Sequence, residues 1–189
     1  MVHYLFSQAD SQPDASQFRV VVFSRLATRK RGVMTQTAEQ LTPSAKEAIC
    51  EALNQTVAET VVTTMLAQNF HWNVTGMAFG PLHDLFQKIY EDHFTAQDDL
   101  AERIKALGGH AEGQLSVMLK RSKVGEHDGH ADAATMISTL ATAQETLAAT
   151  LAGAAAVAED HGDLLTQDLA IARGQVHEKF VWLLRAHLG

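Results

Sequence analysis

The segment from residue 80 to residue 109 constrains the fold of this chain more than any other. It begins with the helix-breaking pair Gly80-Pro81 and ends with Gly108-Gly109, and the 26 residues between them contain neither glycine nor proline. Its apolar side chains recur at the three- and four-residue spacings of a helix with one buried face: Leu82, Leu85, Phe86, Ile89, Leu100, Ile104 and Leu107. The sequence therefore predicts a long amphipathic helix over 82–107, whose apolar face other helices must cover.

Three further long helices are predicted around this one. Thr42-Pro43 is typical of a capping residue followed by proline at the first helical position, and the helix it starts has an apolar face as far as His71. The remaining elements are a polar connection at 110–130 with a short helix around 115–119, an alanine-rich helix at about 131–158, an acidic loop at 159–163 and a last helix at about 166–187. This order predicts an all-α four-helix bundle over residues 42–189, with a short extra helix between the second and third long helices.

Composition excludes two classes of protein. Cys50 is the only cysteine, so no intrachain disulfide forms, and a reducing compartment, the cytoplasm, is expected. Residues 61–80 carry no charge and are nearly long enough to span a bilayer. The run nevertheless contains His71 and three side-chain amides, which are costly in hydrocarbon, so we predict no membrane span.

Charge is unevenly distributed along the chain. Residues 1–33 carry five basic and two acidic side chains, whereas residues 34–189 carry 10 basic and 20 acidic ones. An acidic body attracts cations and repels a phosphate backbone. Any contact with nucleic acid is therefore expected from the basic cluster of the N-terminal extension, residues 1–41, through Arg25, Arg29, Lys30 and Arg31.

The sequence leaves three interpretations of residues 1–33 open. They are a disordered basic arm that touches nucleic acid, a targeting segment, or translated sequence upstream of a true start at Met34. The segment lacks the apolar core of a secretory signal.

A second stripe of side chains runs beside the apolar face of the 82–107 helix. It comprises His83, Gln87, Glu91, Phe94, Asp98 and Glu102, at successive spacings of 4, 4, 3, 4 and 4. His83 and Glu102 are 19 residues apart, about 28 Å along a helix, so one chain cannot bring them to the same cation. The alternative interpretation is an ordinary solvated face.

The stripe is symmetric about one point. The pair His83 and Glu102 and the pair Gln87 and Asp98 share the midpoint 92.5. An antiparallel copy of this helix, crossing on a two-fold axis near residues 92 and 93, would place the members of each pair opposite one another. The spacing therefore predicts an isologous dimer with two equivalent metal sites, each built from two subunits.

Several motifs together resemble one family. They are Phe70-His71-Trp72-Asn73-Val74, Gly76, Phe79, Leu82-His83, Asp98, Ala101-Glu102-Arg103-Ile104, Leu107-Gly108-Gly109, Val176-His177-Glu178-Lys179 and Trp182-Leu183-Leu184-Arg185-Ala186. This set resembles the Dps family, the ferritin-like miniferritins that protect DNA in starved or oxidatively stressed prokaryotes. The resemblance covers about 43–187 and is densest at 70–109. Residues 34–189 would make a chain of 156 residues, a usual size for the family, which favours Met34 as the start.

The resemblance implies a hollow homododecamer built from two-fold dimers, with a di-iron ferroxidase centre at each dimer interface. His71 and His83 would come from one subunit, and Asp98 and Glu102 from its partner. The family places Asp or Glu where this chain has Gln87, an uncharged and weaker ligand, so we expect lower occupancy of the second iron position.

The resemblance also suggests roles outside the centre. Trp72 would intercept stray oxidising equivalents, with interface packing as the alternative for both Trp72 and Trp182. Asp160, Asp163 and Asp168 would line a pore through which iron enters, with helix capping and a solvated loop as the alternative. Glu91 is not expected to replace the missing carboxylate, because the midpoint geometry pairs it with Phe94 and Thr95.

The function expected from this resemblance is oxidation of Fe(II), preferably with hydrogen peroxide, followed by storage of ferric mineral and protection of DNA. No membrane partner is expected, and association with the nucleoid is left open. Two alternatives stay open. One is a DNA-compacting structural protein in which iron chemistry is secondary. The other is a degenerate ferritin-like shell that sequesters metal without oxidising it.

Overall fold

The computed structural model describes residues 36–189 of the chain. These residues contain five helices. They are α1 (Pro43–Asn73), α2 (Phe79–Ala106), α3 (Leu115–Arg121), α4 (Ala133–Asp160) and α5 (Leu164–Arg185). No strand occurs within these residues. The predicted all-α class and the short helix between the second and third long helices are confirmed.

The helix ends follow local chemistry. Thr42 Oγ1 accepts a hydrogen bond from the N–H of Ala45 at 3.2 Å, and Pro43 is the first residue of α1, where its missing amide hydrogen costs nothing. Just beyond the C-terminal end of α2, Gly108 has a φ of 83°, which glycine adopts without steric penalty. The predicted start of α1 and stop of α2 are confirmed.

Three predicted boundaries need correction. α2 begins at Phe79, so Pro81 lies inside its first turn, where helix amides have no intrahelical acceptor and proline is tolerated. α4 continues to Asp160, which reduces the predicted acidic loop to residues 161–163. α5 begins at Leu164 because the side chain of Asp163 caps it.

The four long helices close into a bundle. α1 packs against α2 and α4, α4 packs against α5, and α2 also contacts α5, while α3 lies on α1. None of the helices within residues 36–189 is long and apolar enough to cross a membrane.

The bundle core has two main apolar clusters. One contains Phe70, Phe86 and Leu140, and the other contains Leu53 and Ile104. Buried polar side chains separate these clusters along α1 and α2, at Thr60 and His93 respectively. The core is therefore interrupted by a polar layer near the middle of the bundle.

Part of the predicted N-terminal extension packs on the bundle. Leu41 is buried in the second apolar cluster, and the N–H of Gln36 donates to the carbonyl oxygen of Gly162 at 3.2 Å. The packed body thus begins before Thr42. The basic residues predicted to contact DNA, Arg25, Arg29, Lys30 and Arg31, lie outside the described residues.

Candidate metal centre

His71 and His83 form a reciprocal pair where α1 ends and α2 begins. Nδ1 of His71 lies 2.9 Å from the carbonyl oxygen of His83, and Nδ1 of His83 lies 3.0 Å from the carbonyl oxygen of His71. The two rings stack with their centroids 3.7 Å apart and their planes at 24°. The turn between the helices makes this possible, because Gly76 takes a φ of 98°.

These two hydrogen bonds fix the tautomer of both rings. A carbonyl oxygen only accepts, so each Nδ1 must carry the proton and donate. In the neutral ring the lone pair is then on Nε2, the form in which histidine binds metal. The pair therefore presents two Nε2 atoms whose ring orientation is already set before any metal arrives.

The predicted acidic ligands lie at the far end of α2. Asp98 and Glu102 are both exposed, on the same uninterrupted helix as His83. Within residues 36–189 of one chain, no three histidine, cysteine, aspartate or glutamate side chains lie close enough to hold a metal ion. One chain therefore does not bring the predicted ligands together.

The middle of the stripe exposes a large apolar side chain. Phe94 is 67% exposed, a large apolar side chain next to the midpoint. The two midpoint residues themselves face inward: Asp92 pairs with Arg173 of α5 at 2.5 Å, and His93 is fully buried. The inward pairing fixes the rotation of α2, so Glu91, Phe94, Thr95 and Asp98 point away from the bundle.

Gln87 occupies the position at which the resemblance implies an Asp or Glu ligand. It is half-buried, and its Nε2 donates to Oε1 of Glu91 at 2.7 Å. The amide oxygen of Gln87 accepts none of the hydrogen bonds found within residues 36–189. It is therefore available as a neutral oxygen ligand.

Both tryptophans are exposed in the single chain. Trp72, which follows His71, is 63% exposed and lines a groove of about 300 Å³ together with Met65 and Leu115, whereas Trp182 is 65% exposed. A role of Trp72 as a trap for oxidising equivalents stays a prediction, as does interface packing.

The three aspartates assigned to a pore differ in their surroundings. Asp160 and Asp168 are exposed. Asp163 is fully buried, and both of its oxygens bind Arg103 Nη2, at 2.7 and 2.9 Å. It also accepts from the N–H and the hydroxyl of Thr166, so it caps α5. A carboxylate with this many partners and no exposure does not line a pore, which corrects the prediction for Asp163.

A buried cluster that sequence reasoning missed lies inside the bundle. Oε1 of Gln144 faces Nε2 of His93 at 3.2 Å and Nδ1 of His177 at 2.7 Å. Burial lowers the pKa of His93 to about 4 and that of His177 to about 2, since a charged ring would be poorly solvated there. The signal was available, because Ile89, His93, Ala96 and Leu100 follow at helical spacing and place His93 on the buried stripe.

A four-helix bundle with an extra short helix, a histidine pair at one end of a helix and carboxylates at the other, belongs to the ferritin-like class. The ferritin-like domain family matches residues 50–189 of the chain. The chain is 34% identical to general stress protein 20U of Bacillus subtilis (strain 168) over 143 residues, 76% of this chain and 99% of that protein. It is also 34% identical to the DNA protection during starvation protein of Brevibacillus brevis over 145 residues, 77% of this chain and 97% of that protein. The chain belongs to the Dps family.

Solved structures agree with this assignment. The crystal structure of a Dps protein from Bacillus brevis superposes with a TM-score of 0.76 and 34% identity, over 79% of this chain and all of that one. The Dps protein from Vibrio cholerae O1, described as a member of a broad superfamily of ferritin-like diiron-carboxylate proteins, superposes with a TM-score of 0.77 and 29% identity, over 82% of this chain and 98% of that one.

Proposed function

We propose that this chain is a ferroxidase and iron-storage protein that oxidises Fe(II) at a site shared by two subunits. The observation that carries the proposal is the reciprocal His71–His83 pair, which leaves two oriented Nε2 atoms at one end of α2. The symmetric placement of Asp98 and Glu102 supplies the carboxylates from the partner subunit. Relatives named for DNA protection during starvation and a neighbour described as a diiron-carboxylate protein support it.

The ligand set suits ferrous iron as a substrate. Imidazole nitrogens and carboxylates together bind Fe(II), and the carboxylates favour the ferric product further because of its higher charge. We propose hydrogen peroxide as the preferred oxidant. Two Fe(II) ions each give one electron, the O–O bond of the peroxide breaks, and two protons complete two water molecules. Because both electrons are delivered together, no hydroxyl radical is released.

The proposal extends to the assembly. We propose a hollow dodecamer of two-fold dimers in which ferric mineral is stored, with Asp160 and Asp168 contributing to the path by which iron enters. Exposed carboxylates at subunit junctions raise the local cation concentration. Protection of DNA would follow from removal of Fe(II) and peroxide, and direct contact with DNA would depend on the basic N-terminal segment. A cytoplasmic location and association with the nucleoid belong to the same proposal.

Mixed dimers test the shared site directly. Subunits with His71→Ala and His83→Ala are dissociated and reassembled with an equal amount of subunits carrying Asp98→Ala and Glu102→Ala. Each parent alone has no complete site. A mixed dimer has one complete site and one that lacks all four ligands. Random pairing gives half mixed dimers, so peroxide-dependent Fe(II) oxidation should recover to about a quarter of the wild-type rate.

The alternatives give different results. If all ligands came from one chain, mixing would restore nothing. If wild type neither bound Fe(II) anaerobically nor consumed about one peroxide per two Fe(II), the ferroxidase proposal would be wrong and the metal-sequestering shell would be favoured.

A further inference from the structure

Glu91 holds the side chain of Gln87 in one orientation. The donor is Nε2 of Gln87 and the acceptor is Oε1 of Glu91, 2.7 Å away. The reverse orientation of the amide would place two oxygen atoms at that distance. A carboxylate only accepts hydrogen bonds, so this reverse orientation is repulsive. The amide nitrogen of Gln87 therefore donates to Glu91, and the amide oxygen of Gln87 points away from the Glu91 carboxylate.

The charge of Glu91 is not neutralised by another side chain. Its carboxylate takes part in none of the ion pairs found within residues 36–189, although four other acidic side chains of the bundle are each paired with an arginine: Glu51, Asp92, Glu145 and Asp163. Glu91 is exposed in the single chain. In the proposed dimer, the symmetry of the stripe would set position 91 opposite position 94 of the second subunit, and an apolar cover there would strengthen the electrostatic effect of Glu91 on nearby groups.

A carboxylate bound to an amide N–H changes the amide oxygen. The hydrogen bond draws the nitrogen lone pair into the amide π system, and negative charge accumulates on the carbonyl oxygen. Hydrogen bonds in series polarise one another in this way. Carboxylates that accept from a metal-bound histidine likewise raise the basicity of that ligand. Gln87 in contact with Glu91 is thus a stronger oxygen donor than an isolated amide.

We propose that Glu91 is a positioning residue of the second metal position: it orients Gln87 Oε1 toward the cation and supplies the negative charge that Gln87 lacks. Gln87 and Glu91 together replace the single carboxylate usual in the family, with the charge moved one helical turn along α2. This inference rests on the proposed function, since it presupposes metal binding at the two-fold interface.

Titration with Co(II), which binds the same kinds of ligand as Fe(II) and absorbs visible light, measures both metal positions without redox chemistry. The variant is Glu91→Gln, which keeps an acceptor for the Gln87 N–H but removes the charge. We expect the weaker class of Co(II) sites to lose affinity about tenfold or more, the usual effect of removing such a partner. The affinity of the stronger class of sites should change little. The visible absorption band of the second bound Co(II) should shift in wavelength.

The matched control is Glu178→Gln, which removes the same charge from an exposed position on α5. If Glu91→Gln affects Co(II) binding no more than this control does, the inference is overturned. Size-exclusion chromatography checks that each variant assembles. If Glu91→Gln does not assemble, Glu91→Asp is used instead. It keeps the charge but is one methylene too short for the 2.7 Å contact with Gln87, and it should also weaken the second class.

A second background makes the test sharper. In Gln87→Asp, the charge is back at position 87 and the amide N–H that binds Glu91 is gone. There, Glu91→Gln should cost less affinity than it does in wild type, because Glu91 then acts on the cation only through its charge at a distance. An equal loss in both backgrounds would overturn the inference.

The same titration separates this inference from the proposed function. Loss of both classes of Co(II) site in a His71→Ala, His83→Ala variant supports the shared centre. If that variant binds Co(II) as wild type does, the centre itself is wrong. If the double histidine variant loses Co(II) binding but Glu91→Gln binds Co(II) as the Glu178→Gln control does, only the role of Glu91 is wrong.

Discussion

His71 and His83 each bind the main chain of the other through Nδ1, at 2.9 and 3.0 Å. Each ring also packs against one further aromatic side chain, His71 against Tyr90 and His83 against Phe79, with ring centroids 5.3 and 5.1 Å apart. The pair ties the last turn of α1 to the beginning of α2 and leaves Nε2 of both rings without a hydrogen-bond partner within residues 36–189. The same arrangement that holds the helix junction is the one on which the proposed metal position depends.

This mutual dependence predicts the effect of removing either ring. His71→Ala or His83→Ala should each reduce the rate of peroxide-dependent Fe(II) oxidation by at least about 100-fold. One ligand is lost outright, and the stacking and one hydrogen bond that orient the remaining ring are lost with it. His130→Ala, at an exposed loop position, is the control and should retain the wild-type rate. Independent, additive losses in the double variant would contradict the coupling.

The buried Arg103–Asp163 pair predicts a stability effect. Asp163→Ala removes the cap of α5 and leaves the guanidinium of Arg103, only 14% exposed, without its partner. The free energy of unfolding should fall by about 3–5 kcal/mol, as it does when one member of a buried pair is removed. Denaturant unfolding measures it, with the exposed Asp160→Ala as the control. A change below about 1 kcal/mol, the usual value for an exposed pair, would show that the pair is not structural.

The buried histidines predict how stability depends on pH. The pKa values of about 4 for His93 and about 2 for His177 lie below the ordinary value of 6.5. Above pH 6.5 both rings are neutral whether the chain is folded or unfolded. Below it, the unfolded chain takes up protons that the folded chain excludes. The free energy of unfolding should therefore fall, by about 1.4 kcal/mol per pH unit for each histidine, as the pH drops from 6.5 toward 4.

Thermal unfolding between pH 7 and pH 4.5 checks this expectation. The comparison is the variant His93→Leu, Gln144→Leu and His177→Leu, in which the polar cluster is replaced together so that no buried group is left unpaired. Its unfolding should depend less on pH over this window. Protein concentration is held constant because assembly contributes to stability. An equal pH dependence in both proteins would assign the effect to other groups.

The charge distribution predicts the mode of DNA binding. A mobility-shift assay at physiological salt should show binding by the full chain and none by residues 34–189, because the latter carry 20 acidic against 10 basic side chains. Binding by the full chain should weaken as salt is raised. A shift by the shorter chain would mean that DNA contacts the bundle itself.

Much of the fold followed from sequence because its determinants are local. Thr42-Pro43 and Gly108 set helix ends through hydrogen bonds and backbone preferences within a few residues. The apolar stripe of α2 predicted which face is buried, since helical period alone decides it. The four candidate ligands on α2 also followed from spacing, and their symmetry about position 92.5 required no coordinates, whereas His71 was implied by the resemblance to the family.

Other features depended on contacts between distant residues. The pairing of Asp163 with Arg103 joins positions 60 residues apart, so no local pattern favoured a helix cap over a pore for Asp163. The His93–Gln144–His177 cluster joins three helices in the same way.

The sequence by itself determined the helices, their buried faces and the placement of the candidate ligands at the two ends of α2, because periodicity and capping depend only on residues close together along the chain. Only the tertiary structure decided what each polar side chain does. In the folded chain, His71 and His83 orient one another. Asp163 pairs with Arg103, and the amide nitrogen of Gln87 donates a hydrogen bond to Glu91. The physical reason is that hydrogen bonds and charges act over a few ångströms in space, whatever the separation along the chain.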